Sequence, residues 1–182
     1  MNSIFRTLEQ ILKDSEDYLS HEAGLFCHGL IADLPQKIVI VTSSRRRDRF
    51  CEGHQIEFVF HHPKRPRETC AINFQGAEIR VAKLSQALVD IVADSRQAES
   101  IEALAGLFWR LPYNVGETVE LAANTSNTAH KRILFWALWA GCISFAGLPQ
   151  KPERTPVNLF QNDDDNTLWE GAIQVFYPKR LL

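Results

Sequence analysis

Leu19-Ser-His-Glu-Ala-Gly-Leu-Phe-Cys-His-Gly-Leu30, followed after a short gap by Lys37-Ile-Val-Ile-Val-Thr42, is the stretch whose reading decides the fold. Ser20 suits a helix N-cap, and Glu22 puts a negative charge in the first turn, where the helix dipole favours it. Gly29 is a natural stop just past the last helical residue. A short capped helix is therefore expected, and it delivers the chain into a strand over Lys37–Thr42.

Strand signals continue on the C-terminal side. Within 55–62, Ile56, Phe58 and Phe60 alternate with Gln55, Glu57 and Val59, the period of a strand with one buried face. Two more strands are expected at 69–74 and 78–81, joined as a hairpin by Gln75-Gly76. From Lys83 the period changes, with Leu84, Ala87, Leu88, Ile91 and Val92 at helical spacing. Further helices are expected at 100–110, 115–124 and 127–144, with breaks at Pro112, Asn114 and the Asn124-to-Asn127 segment. A mixed sheet of about four to six strands with a helical bundle is an α+β arrangement.

The chain then reads as an N-terminal helix over 1–17, an α+β domain over 18–146, and a segment over 147–182 that completes it. That last segment has a Pro-rich connector, 147–156, and two short strands, 157–160 and 172–177, expected to return to an edge of the first sheet. With 182 residues, 45% of them hydrophobic, the chain can bury one good core. A net charge of −2 carries no global basic excess of the kind a nucleic-acid protein shows.

Ile4, Leu8, Ile11 and Leu12 have amphipathic helical spacing, unlike a secretory signal. The most apolar stretch, 133–145, is well short of the roughly 20 residues a bilayer span needs. A soluble, cytoplasmic protein with no membrane partner is expected. Its cysteines, at 27, 51, 70 and 142, form no tight framework and are expected to be reduced.

Three blocks carry a family resemblance: Tyr18-Leu-Ser-His-Glu-Ala with His28-Gly-Leu; Ile79-Arg-Val-Ala-Lys-Leu-Ser-Gln-Ala-Leu-Val-Asp-Ile-Val; and Lys131-Arg-Ile-Leu-Phe-Trp-Ala-Leu-Trp-Ala-Gly. Their order and spacing, over Tyr18 to Cys142, resemble the C-terminal domain of AbiEi-type antitoxins, transcriptional-regulator partners in abortive-infection toxin–antitoxin pairs. In that family the second block is a strand handing over to a helix that reads Leu-hydrophobic-Asp. The resemblance implies a non-enzymatic antitoxin-like or regulatory domain on a degenerate nucleotidyltransferase-like core, opposing a toxin without a lasting complex. A nucleotidyltransferase holds magnesium with acidic residues on the strand after its first helix; Lys37–Thr42 has none, so phosphoryl transfer lacks its metal site there. Members carry a winged helix-turn-helix ahead of this domain, and residues 1–17 are too few for one, so the resemblance implies a separate DNA-binding chain. No cofactor is expected.

A second function class comes from charge. Arg45, Arg46, Arg47 and Arg49 follow the first strand, and Lys64, Arg65 and Arg67 follow the second. If those strands are neighbours running the same way, the loops merge into one basic patch for phosphates or an acidic partner. Arginine forks suit either group. No recognition helix or aromatic stacking motif accompanies them, so nucleic-acid binding is expected to be backbone-directed and salt-sensitive. The alternative function is therefore a nucleic-acid-binding accessory module with these seven cations on solvent-exposed loops; the bland reading is that they only aid solubility.

Other chemistry finds less support. Cys51-Glu-Gly-His54, His61-His62 and Cys70 hold zinc donors, but no matched second pair exists and His61 and His62 point to opposite faces of a strand. No metal and no catalytic residue is expected. His21 and His28 lack a nucleophile or orienting carboxylate in a partner motif and read as helix-terminal histidines. Asp163-Asp-Asp-Asn166 lacks the Gly and terminal Glu of a calcium loop. Trp109, Trp136 and Trp139, with Phe108 and Phe135, are expected in the core.

Overall fold

The computed structural model describes residues 3–13, 15–94, 101–144, 157–158, 167–170 and 175–178. The chain divides into two units, Met1–Asp90 and Ile91–Leu182, a boundary that falls inside the stretch 18–146. The fold is α+β, with a mixed six-stranded sheet.

The first unit runs α1 (Ser3–Leu12), β1 (Tyr18–Ser20), α2 (His21–Cys27), β2 (Lys37–Thr42), β3 (Arg49–Cys51), β4 (His54–Phe60), β5 (Thr69–Phe74), β6 (Ala77–Ala82) and the first part of α3 (Leu84–Ala93). The strand order is β3-β4-β2-β1-β6-β5. β2 is parallel to β4 and β1 to β6, while the other neighbours are antiparallel. The apolar stripe of α1, Ile4, Phe5, Leu8 and Leu12, joins Ala23 and Cys27 of α2 over Ile38, Ile40, Ile56, Ile79 and Val81 of the sheet. Burial there pushes the Cys27 thiol pKa up to about 12, so it behaves as a small hydrophobe. Val39 and Val41 are buried as well, on the opposite face, in register with Ser20 and Tyr18. β2 is thus covered on both sides.

The expected side-chain cap on α2 is not formed. Ser20 occupies the N-cap position in extended conformation but makes no cap hydrogen bond; it ends β1, and its hydroxyl donates to Asp90 instead. A bond to a buried carboxylate is stronger than one to a neutral backbone amide. His21, at φ 54, makes the sharp turn from strand to helix. The other end is as expected: Gly29 N–H donates to the Phe26 carbonyl and Leu30 N–H to that of Leu25, closing the helix.

The Gln75-Gly76 turn joins β5 to β6 with Phe74 opposite Ala77, as the sequence indicates. A second two-residue turn, Glu52-Gly53, sets Cys51 opposite His54, so the candidate zinc half-site is a hairpin tip. β1 and β3, three residues each, were not anticipated.

The second unit contains α4 (Ile101–Arg110), α5 (Val115–Thr125), α6 (Asn127–Trp139), β7 (Val157–Asn158), β8 (Thr167–Glu170) and β9 (Val175–Pro178). Asn114 and Ser126 cap α5 and α6 by accepting from Glu117 N–H and Ala129 N–H. α6 ends at Trp139 rather than 144, because Gly141 takes a positive φ and the Gly141 and Cys142 amides turn back onto Leu138 and Ala137. The C-terminal strands do not return to the first sheet. They form their own sheet in the order β7-β9-β8, with β9 in the middle. β8 lies where a loop was expected, and Asp163-Asp-Asp-Asn166 falls outside the described residues.

Phe108, Phe135 and Trp136 are buried, but Trp109 is 64% exposed, edge-on to Trp139, which corrects its expected core placement. α6 also buries Lys131 and Arg132. Arg132 donates to the Val92 and Ala93 carbonyls at 2.9 and 3.5 Å, satisfying the open end of α3. Burial lowers its pKa to about 10, against the opposing charge of Asp94. Among the described residues no helix is long and apolar enough to cross a membrane.

Candidate functional site

β2 and β4 lie side by side and parallel, in register from Lys37 opposite Gln55 to Thr42 opposite Phe60. His61 N–H extends the ladder by donating to the Thr42 carbonyl at 2.9 Å. Both basic loops therefore leave the same end of the sheet from strands about 4.8 Å apart. This is the juxtaposition on which a merged basic patch depended.

Both loops are shaped by local hydrogen bonds. The Thr42 hydroxyl donates to the Ser44 carbonyl and accepts from Ser44 N–H, both at 3.1 Å. Asp48 Oδ1 accepts from Phe58 N–H at 3.0 Å and holds the far end of that loop against β4. In the second loop Arg65 N–H donates to the His62 carbonyl at 2.9 Å, closing a turn with Pro63 and Lys64 at its corner. Lys64 N–H donates to His62 Nδ1 at 3.2 Å.

The seven cations are not equivalent. Arg46 pairs at 2.9 Å with Asp17, whose side chain is only 2% exposed. Arg67 lies 3.5 Å from the neighbouring Glu16 and donates to the His61 carbonyl at 3.4 Å. Consecutive carboxylates ahead of β1 thus engage one arginine of each loop. The guanidiniums of Arg46 and Arg49 also lie over the Phe58 ring, 5.6 and 5.3 Å from its centroid. Arg46 and Arg67 consequently depart from the exposed loop positions expected of them. Arg45, Arg47 and Lys64 are exposed, Arg65 is half-buried, and these four make no ion pair among the described residues. Phe60, 47% exposed, stands where β4 meets the second loop, an aromatic that sequence reasoning assigned to the buried face.

A buried polar node belongs to the same unit. Asp90 of α3 accepts from Tyr18 Oη at 3.1 Å and Ser20 Oγ at 2.7 Å on one oxygen, and from Gln86 Nε2 at 2.7 Å on the other. His61 Nδ1 lies 3.8 Å from that second oxygen. Gln86 Oε1 in turn accepts from Glu68 N–H at 3.1 Å. Ser, His and Asp meet here, yet the serine hydroxyl donates to the carboxylate rather than to the histidine, and all three are buried. The set lacks the geometry of a nucleophile and is a structural network. Its signal in the sequence was a Gln86–Asp90 pair one turn apart in a mostly apolar helix.

Two of the remaining histidines are held by backbone carbonyls. His54 Nδ1 donates to the Pro35 carbonyl at 3.0 Å and His28 Nε2 to that of Ala82 at 2.8 Å. Among the described residues no group of three or more His, Cys, Asp or Glu side chains is placed to hold a metal ion.

No protein-family model and no curated protein sequence matches the chain. A solved structure does. The crystal structure of the RV2827C protein from Mycobacterium tuberculosis is similar with a TM-score of 0.62 at 12% sequence identity, over 94% of this chain and 65% of that one. The chain spans just under two thirds of that protein's length, and at this identity the likeness speaks for the fold alone.

An open groove of about 570 Å³ runs between α1 and the β5–β6 hairpin. Glu9 in its wall accepts from Glu78 N–H, and Arg80 donates to the Ser15 carbonyl. The basic end is the better candidate, because it presents four charged groups that the described fold leaves without an ionic partner.

Proposed function

We propose that this chain is an antitoxin-like regulatory domain of the AbiEi type, acting without catalysis in a toxin–antitoxin or phage-defence setting. The observation that carries the reading is that two of its three resembling blocks meet. β1 and β6 pair in parallel with Leu19 opposite Val81, and Asp90, the acid of the Leu-hydrophobic-Asp pattern, accepts from Tyr18 and Ser20. A sequence pattern whose polar members complete one buried network has a structural cause. β2 supports the non-catalytic side, since it offers no carboxylate where a nucleotidyltransferase-like core would hold magnesium. On this reading the domain works in the cytoplasm and antagonises a toxin without a stable complex. Co-expression with a nucleotidyltransferase-like toxin encoded beside it restores growth. Failure to rescue removes the antitoxin assignment, and magnesium-dependent nucleotide turnover by the purified chain removes its non-enzymatic part.

A second reading, a nucleic-acid-binding accessory module, is favoured by the parallel register that brings both basic loops to one end of the sheet. Gel-shift titration against duplex DNA and structured RNA at two salt concentrations tests it. Salt-sensitive binding that Arg45→Glu/Arg47→Glu weakens supports the module, and unchanged affinity in that variant eliminates it. Arg46 is kept out of the variant because its loss strands Asp17.

A further inference from the structure

Three large apolar side chains are prominently exposed among the described residues: Phe50, Phe60 and Trp109. Trp109 belongs to the second unit. Phe50 lies on edge strand β3 opposite Gln55, on the sheet face away from Ile56. Phe60 alone stands between the basic loops, opposite Thr42, where the first loop starts, and one residue before the second.

We infer that this end of the sheet binds single-stranded nucleic acid, with phosphates against Arg45, Arg47, Lys64 and Arg65 and a base stacked on Phe60. The inference rests on the second reading above and adds the class of strand and the stacking residue. Its first support is the combination of groups. An exposed aromatic face beside four cations that make no ion pair among the described residues offers both contacts a single strand makes, base stacking and phosphate pairing. A duplex hides its base faces, and reading its grooves takes a helix or a two-stranded ribbon, whereas two loops flank Phe60. The second support is preorganisation. Arg46 and Arg49 cover Phe58, two residues along the same face, while Asp17 and Glu16 fix one arginine of each loop. The first loop is anchored at its ends by the Thr42–Ser44 hydrogen bonds and by Asp48, and the second is a hydrogen-bonded turn over His62–Arg65. Asp48 is the acidic group within the first loop, and it is engaged with Phe58 N–H.

The experiment is fluorescence anisotropy of the full chain with labelled oligo-dT and oligo-rU 12-mers and a matched duplex, at 50 and 200 mM NaCl, with poly-glutamate as competitor. Single strands bind more tightly than the duplex. Phe60→Ala weakens single-strand binding about ten-fold with little change in salt slope, and Phe60→Trp restores it. Arg45→Glu/Arg47→Glu instead lowers the salt slope by at least about 1.4, or two phosphate contacts. Urea melts of each variant confirm that the fold persists. If Phe60→Ala binds like the native chain, if Phe60→Trp binds no better than Phe60→Ala, or if the duplex binds as tightly as the single strands, the stacking proposal falls while the basic-end reading survives. Absence of binding to every oligonucleotide, or displacement by poly-glutamate at equal charge, overturns both.

Discussion

Asp90 and the basic end are the two polar centres of the first unit, and they dispose of charge in opposite ways. Asp90 carries a buried charge site surrounded by donors: two hydroxyls, one amide and the nearby His61. The basic end has an excess of cations: Asp17 and Glu16 engage Arg46 and Arg67, and Asp48 is held by Phe58 N–H. A fully satisfied group holds a fold together, and an unsatisfied exposed one is available to something outside it. The contrast assigns Tyr18, Ser20, Gln86 and Arg46 to stability and leaves Arg45, Arg47, Lys64 and Arg65 as the groups for the proposed binding.

The sharpest test of that division is Asp90→Ala, which leaves two buried hydroxyls and an amide without their acceptor. At roughly 1–3 kcal/mol per stranded group, the unit loses about 4 kcal/mol or more, read as a large fall in the urea midpoint. A loss below about 1 kcal/mol breaks the comparison. Arg46→Ala comes next, with about 2–3 kcal/mol expected because Asp17 is left buried and unpaired, while Arg45→Ala one residue away changes stability by less than about 0.5 kcal/mol. Equal effects at 45 and 46 mean that the loop is not partitioned as described. Tyr18→Phe and Ser20→Ala are each expected to lose about 1 kcal/mol, and the double variant to depart from additivity because both donate to one oxygen. The smallest effect on stability belongs to Arg45→Glu/Arg47→Glu, within about 0.5 kcal/mol, although nucleic-acid binding falls. A cooperative unfolding curve shifted by several kcal/mol in that variant returns those arginines to the structural set.

Long, strongly periodic elements were legible from residue order: α1, the α3 helix after Lys83, and the β5–β6 hairpin at Gln75-Gly76. β1 and β3 were not, because three residues cannot display a period of two, and β1 ends on a serine that resembles a helix cap. The C-terminal strands were partly visible, but their pairing with β8 rather than with the first sheet depends on partners that composition does not name. For the candidate site, all seven cations stood out in the sequence. What could not be seen was their sorting, since the groups that engage Arg46 and Arg67 lie well upstream, ahead of β1.

Residue order by itself determined the α+β class, the apolar faces of α1 and β4, the two clusters of positive charge and the absence of a carboxylate on β2, because each depends on local period or composition. Tertiary structure alone decided that β2 and β4 run parallel in register, so that the two loops leave one end of the sheet, that Ser20 serves Asp90 rather than α2, and that Phe60 is left exposed at that end. These depend on pairings between distant segments, and local propensity carries no information about which distant strand or side chain supplies the partner.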